Sequence, residues 1–355
     1  MLKKYINVLL RFRYLILSLL FALTIFFGYF LTHIQVDNDT FKAIPPDLKA
    51  KIDYDILKQH FSAPYTVLFL AEFKTGSLTE KIDSIRSWEN EISEIDGISG
   101  VTDLNTVQIP LKGGFFGITS DYLISQKQAL GEEELRERIK NNKEFSKIFI
   151  SDDESILGMI IGLQNGADRS FIIKNIISKV EQINSTQTIK SYITSEGAIS
   201  YFIDQAMRND FRLLLPICMI VVFLLLYRIF RNVLFVCTAL LVNVFALLWT
   251  FGIMGMLNVS FSVVTTIIPV ILFPIGVADA IHLLKLYKEE LAKQRGNIEN
   301  ALVSTYKELI GPCLLTSLTT FAGFASFSFS SISWTRTFGI FTGIAILFAY
   351  IFNIV

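Results

Sequence analysis

The chain has 355 residues, of which 52% are hydrophobic, 18% are charged and 31 are Phe. A soluble domain is nearer 25% charged, so this composition excludes a disordered chain or a nucleic-acid-coating protein and argues against an ordinary soluble enzyme. The formal charge is zero, yet residues 34–209 hold 19 basic and 26 acidic side chains while the remainder holds 13 basic and 6 acidic. An acidic, water-compatible block thus sits inside a basic, apolar frame, which is the pattern of a membrane protein.

A spanning helix needs about 20 mostly apolar residues. The first such run goes from Tyr14 to about Leu31, after Lys3, Lys4, Arg11 and Arg13. No small-x-small cleavage site follows before His33, so residues 1–33 read as a cytoplasmic N-terminus and an uncleaved anchor rather than a signal peptide.

In the block 34–209 the periodicity changes. Tyr65–Phe73 is rich in aromatic and β-branched residues, as a strand is. Leu78–Ile95 has Ile82, Ile85, Trp88 and Ile92 at helical spacing, with Ser77 placed to cap it. Gly97–Thr102 reads as a short strand. The same order returns as strand Ser155–Leu163, helix Arg169–Ile183 and strand Ile189–Thr194, with turn signals at Asp153–Glu154 and Asn165–Gly166. Two βαβ units of this size predict a compact α+β domain of the split βαβ type. Between them, Gly113–Lys147 is irregular and charged, with one helix expected over Glu132–Lys140. Its acid run Glu132–Glu134 suits a helix N-terminus. Gly113-Gly114-Phe115-Phe116-Gly117 reads either as a mobile apolar loop or as a plain turn with a buried aromatic pair.

Five further apolar runs make up residues 210–355, at about 211–227, 232–254, 260–283, 309–330 and 337–355. Arg228 and Arg231 lie between the second and third spans. Lys285, Lys288, Lys293, Arg295 and Lys307 lie between the fourth and fifth. Alternation from a cytoplasmic N-terminus puts both connections inside, as the positive-inside rule expects, and places the acidic block outside the cytoplasm. Pro269 and Pro274 are expected to kink the fourth span. The stretch 285–307 has helical character and reads as a connecting helix against the bilayer or as a solvated linker.

Away from the span ends there is one acidic residue, Asp279, in Pro274-Ile-Gly276-Val-Ala-Asp279-Ala-Ile-His282. A carboxylate in that position costs ~2.5–3.5 kcal/mol on insertion scales, and such groups face a bundle interior or a wet cavity on an ion or proton path. The competing reading is an interfacial Asp paired with a nearby Lys. His282, three residues on, shares its face and can relay protons, its unperturbed pKa being about 6.5; it can equally be an interface residue. Thr316, Ser317, Thr319 and Thr320 open the fifth span, where small hydroxyl residues either pack helices closely or line a path beside Asp279. The three cysteines and three histidines show no metal or redox spacing, there is no phosphate loop, and no catalytic constellation or cofactor is indicated.

One span, a large α+β block and five clustered spans resemble the half-repeat of the resistance-nodulation-division (RND) transporters, in the branch of the MMPL, hopanoid-exporter and Patched-like proteins. Gly276-Val-Ala-Asp279-Ala-Ile-His282 resembles that family's fourth-span pattern, and Leu315-Thr-Ser-Leu-Thr-Thr-Phe-Ala-Gly323-Phe324 resembles its fifth. Asp37-Asn-Asp39…Ile44-Pro45 resembles the lead-in to its porter domain. The resemblance implies a polytopic helical bundle with an inserted extracytoplasmic α+β porter domain at 34–209, in a bacterial inner membrane. It makes Asp279 the proton-coupling carboxylate; His282 on the same face, and Pro274 and Gly276 at the kink just before it, are read from their positions as accompanying and supporting residues. It implies proton-driven export of hydrophobic or amphiphilic molecules such as lipids. Relatives often carry two adjacent polar residues where this chain has Ala278-Asp279. They normally carry two halves, so a second RND half or a homodimer mate is expected as partner. A sterol-sensing-like lipid-binding module and an accessory subunit of a protein-export channel are the alternatives.

Overall fold

The computed structural model describes residues 2–60, 65–111, 119–124, 131–164, 167, 169–185 and 188–355. The chain divides into two compact units, one formed by residues 1–48 with 203–355 and the other by residues 49–202. The first begins with α1 (Leu2–Arg11), α2 (Arg13–Leu31) and the single turn α3 (Thr40–Ala43).

The second unit holds α4 (Lys49–His60), β1 (Thr66–Phe73), α5 (Leu78–Ser93) and β2 (Ile98–Thr102). It continues with β3 (Gln108–Leu111), β4 (Thr119–Tyr122), α6 (Glu132–Asn141), α7 (Lys143–Ser146), β5 (Ile156–Leu163), α8 (Arg169–Asn184) and β6 (Ile189–Thr194). The main sheet has the order β2-β5-β1-β6, and every adjacent pair is antiparallel. β1 and β2 are therefore parallel and straddle β5, and β5 and β6 straddle β1, which is the split βαβ topology. Alternation explains the register: Val67, Phe69, Ala71 and Phe73 of β1 and Leu157, Met159, Ile161 and Leu163 of β5 point into one core. Ile82, Ile85 and Ile92 of α5 and Ile172, Ile176 and Val180 of α8 join that core. Trp88 stacks on Phe73 with ring centroids 6.0 Å apart.

Local signals read from the sequence hold here. Ser77 Oγ accepts from the Glu80 N–H at 3.3 Å while Glu80 reaches back to the Ser77 N–H at 3.0 Å, a complete capping box. Glu132, Glu133 and Glu134 form the first turn of α6. In the turn before β5, Asp153 accepts from Ser151 and Ser155, and these hydrogen bonds hold its carboxyl down at about 2. The hairpin β3–β4 was not anticipated. The segment Gly113–Gly117 and the turn at Asn165–Gly166 lie outside the described residues.

The rest of the chain is α9 (Glu196–Phe230), α10 (Val233–Met256), α11 (Ile268–Lys293), α12 (Ile298–Ala325) and α13 (Ser333–Ile354). Among the described residues six helices are long and apolar enough to cross a membrane: α2 and α9–α13. α2 lies against α10 with Thr24 at Trp249, Phe27 at Gly252 and Phe30 at Gly255, so the two run parallel. Gly252 and Gly255 permit this approach: a Cβ on Gly252 would stand 2.6 Å from the Phe27 carbonyl oxygen. Leu226 and Phe230 of α9 pack on Val236 and Ala239 of α10 and Val277 and Ala280 of α11.

Buried Ile6 marks where α1 packs, and Lys3 lies 3.8 Å from Glu299 in the first turn of α12. With α2 and α10 parallel, the basic turns at Arg231 and at 294–297 fall at the same end of this unit as α1. At the opposite end, the strap after α2 is fastened to the segment before α11. Phe261 N donates to the Gln35 carbonyl at 2.7 Å and Asp37 N to the Phe261 carbonyl at 3.0 Å. Asn38 Oδ1 accepts from Val263 N at 2.7 Å, and its Nδ2 donates to Asp204 of α9.

Three sequence expectations are corrected. The segment 285–307 is not a separate helix. It is the last turns of α11 and the first turns of α12, folded back at 294–297 with Arg295 and Gly296 at φ 51° and 86°. Asn297 starts α12 by accepting from the Asn300 N–H at 3.0 Å. The fourth span begins at Thr265 rather than Ser260, with its α-helix from Ile268, and Pro269 occupies the first turn of α11, where its missing N–H costs nothing; Pro274 alone is interior. α9 starts 15 residues before the apolar run at 211, because its first turns bury Ala198 with Ile173 and Ile177 of α8.

Candidate functional site

Asp279 is the twelfth residue of α11, about 16 Å along the helix from Ile268. Its neighbours one turn either way, Gly276 and Leu283, are buried, and Asp279 itself is half-buried at the junction with α12. Ser317, on α12, donates its hydroxyl to Asp279 Oδ2 at 3.1 Å. The Cys313 thiol, one turn earlier on α12, faces the same carboxylate. Positions 313, 317 and 320 are spaced i, i+4 and i+7, so they form one helical face turned toward α11.

That face closes one side of a cavity of about 450 Å³, within the range of small-molecule sites. Asp279, His282, Cys313, Thr316, Ser317 and Thr320 supply its polar lining; Ile275, Ala278, Leu309 and Pro312 supply the apolar part. His282 is exposed beside the carboxylate. A half-buried carboxylate with a neighbouring hydroxyl and imidazole can take up and release a proton, because each protonation state keeps a partner.

The expected residues divide into three groups. Asp279, His282, Thr316, Ser317 and Thr320 meet at the cavity. Thr319 is not among the lining residues; its hydroxyl donates back to the Thr316 carbonyl at 2.9 Å, a contact within its own helix. Thr316 and Thr320 likewise satisfy their donors on α12, at the Cys313 and Thr316 carbonyls. Gly276 and Pro274 lie outside the lining. Gly276 serves packing: a Cβ there would come within 2.9 Å of Asn243 Cγ and 3.2 Å of Ala349 Cβ.

Three groups were missed by the sequence reading. Cys313, which has no metal or redox spacing to another cysteine, was not singled out, although its i, i+4 spacing to Ser317 places it on the site face. Asn353 of α13 donates to the Gly276 carbonyl at 3.2 Å. Asn243 of α10 is fully buried, donates to the Ala239 carbonyl at 2.9 Å, and leaves Oδ1 without a hydrogen-bond partner among the described residues. The packing of α10 and α13 against α11 that brings these amides to Gly276 has no local sequence signal. Among the described residues no group of His, Cys, Asp and Glu could hold a metal ion.

Comparison with known proteins agrees with this architecture. A protein of Methanocaldococcus jannaschii, named as a membrane protein, is 22% identical over 326 residues, covering 88% of this chain and 80% of its own length. The model of the MMPL family matches residues 80–354, a stretch that includes most of the split βαβ unit and every helix from α9 to α13. The chain is a multi-pass membrane protein of the MMPL family, whose members are membrane transporters rather than enzymes.

Proposed function

We propose that this chain is a secondary transporter of hydrophobic or amphiphilic molecules, lipids first among them, driven by protons taken up and released at Asp279. The observation that carries this reading is the half-buried carboxylate in the middle of α11, hydrogen-bonded across the helix pair to Ser317 and opening on a cavity of about 450 Å³. Protonation neutralises Asp279 and loosens its tie to Ser317, so α11 and α12 gain a second arrangement. One charge moved through 100 mV supplies about 2.3 kcal/mol, enough to bias such a two-state packing. His282, at the cytoplasmic side of the cavity in this reading, passes protons to and from the carboxylate.

The basic turns support an N-terminus in the cytoplasm. That orientation makes residues 34–209 an extracytoplasmic porter domain that handles substrate. The exposed face of α11 and α12 at Pro274, Ala278, Gly311 and Leu315 is, in this proposal, covered by a second RND half or a homodimer mate. The test is transport in vesicles with an imposed proton gradient. Asp279→Asn is expected to abolish gradient-driven movement while the protein is made, inserted and folded normally; transport retained by this variant refutes the coupling role.

The apolar share of the cavity lining favours one second reading, a sterol-sensing-like module that binds lipid without a transport cycle. It predicts saturable lipid binding indifferent to the proton gradient and unaffected by Asp279→Asn.

A further inference from the structure

Helix α1 presents three different flanks. Ile6, 1% exposed, is its buried side, and the helix packs on α12. Tyr5 and Val8 lie on a second flank, apolar and exposed at 42% and 46%. Lys4, Asn7 and Arg11 lie on the third, all exposed. At 100° per residue the cationic flank adjoins Val8, so a stripe of exposed apolar surface runs directly beside a stripe of positive charge. The helix LKKYINVLLR contains no acid. At and just past its end, the guanidinium of Arg11, the last residue of α1, lies 5.7 Å from the Phe12 ring centroid and that of Arg13 lies 4.8 Å from the Tyr14 ring centroid. Such pairing of aromatic rings with cations is characteristic of side chains at a membrane–water boundary.

Solvent alone does not account for this arrangement. A helix bathed in water would bury or lose the Tyr5–Val8 flank. One packed wholly in protein would not carry Lys4 and Arg11 with no acid in the helix to answer them. From these flanks we infer that α1 is a binding surface for anionic lipid headgroups, with Tyr5 and Val8 in the acyl boundary and Lys4 and Arg11 on the phosphates. Lys3 is engaged with Glu299 and is not part of the surface. The inference does not depend on Asp279 being a coupling group.

The full-length chain carrying Val8→Trp is reconstituted in vesicles of four parts phosphatidylcholine to one part phosphatidylglycerol. Dibrominated acyl chains, which quench Trp on contact, are placed on one lipid or the other, and the signal of the parent chain is subtracted. Random mixing makes brominated phosphatidylglycerol the weaker quencher in proportion to its share. The expected result is an enrichment of phosphatidylglycerol at position 8 of about fivefold, the factor that one basic residue near an anionic surface contributes. Lys4→Gln with Arg11→Gln returns quenching to the bulk ratio, and raising the salt does so partly. Tyr5→Trp provides the same readout if Val8→Trp does not fold. Quenching in bulk proportion, enrichment that survives the double substitution, or no quenching by either lipid overturns the inference.

Discussion

The seam between α2 and α10 allows a quantitative test of the fold. At Gly252 an added methyl would stand 2.5 Å from Phe27 Cβ, 2.6 Å from its carbonyl oxygen and 2.9 Å from its Cα. Two of these three atoms are backbone, so no rotamer change relieves the overlap, and α2 must withdraw by about 1 Å to restore ordinary contact distances of ~3.5 Å. A gap of 0.5–1 Å forfeits a quarter to a half of each contact it opens. The neighbours on the seam are the Phe27–Trp249 ring pair at 5.1 Å and the hydrogen bond from Trp249 Nε1 to Thr24 Oγ1 at 3.1 Å. Overpacking costs about 1–3 kcal/mol and a lost interhelical hydrogen bond in a membrane about 0.6 kcal/mol. Gly252→Ala is therefore expected to destabilise the protein by about 2–3 kcal/mol. Gly28, one residue after Phe27 on the same helix, is the internal control, because a methyl there meets nothing within 4 Å. Reversible unfolding in mixed detergent–lipid micelles, titrated with a denaturing detergent, reads both variants against the parent. If Gly252→Ala unfolds at the same point as Gly28→Ala, the close backbone approach of α2 and α10 is wrong.

Two further predictions concern the α+β unit. Glu89 on α5 has its carboxyl pushed up to about 7, first by burial and then by the charge of Asp103, with Arg86 opposing. A carboxyl that binds its proton more tightly folded than unfolded loses stabilisation as pH rises, here from about 4.5 to about 7. Urea unfolding of the full chain, followed by tryptophan emission, should show a lower midpoint at pH 7.5 than at pH 5 for this transition. Glu89→Gln should flatten that difference, and an unchanged slope would remove Glu89 as its source. Ser77→Ala deletes one half of the capping box and should cost about 1 kcal/mol, read as a lower urea midpoint; Ser77→Thr should largely retain the parent value.

Much of the architecture was legible because its signals are local. The aromatic and β-branched run Tyr65–Phe73, the 3.6-residue spacing of Ile82, Ile85 and Ile92, and the capping Ser77 each act within a few residues, and each element formed where its pattern lies. Asp279 was legible for a different reason: a carboxylate among apolar residues is costly and therefore conspicuous. What escaped notice depends on contacts distant in sequence. The early start of α9 comes from Ala198 meeting Ile173 and Ile177, and the orphan oxygen of Asn243 appears only once α10 lies on Gly276. The run 285–307 misled because helices that cross a membrane can continue past it, so a change from apolar to charged residues does not mark a helix end.

The strap at Gln35–Asn38 constrains how Asp279 can move. Backbone pairing with Phe261 and the Asn38 side chain fasten the approach to α11 to two other parts of the chain, the residues after α2 and Asp204 of α9. A piston stroke of α11 along its axis would have to drag both with it. Pro274 lies between this clamp and Asp279 and removes one rung of the helical ladder there. Compliance is thus concentrated six residues after the helix start, and the carboxylate is better placed to swing about a pinned end than to slide.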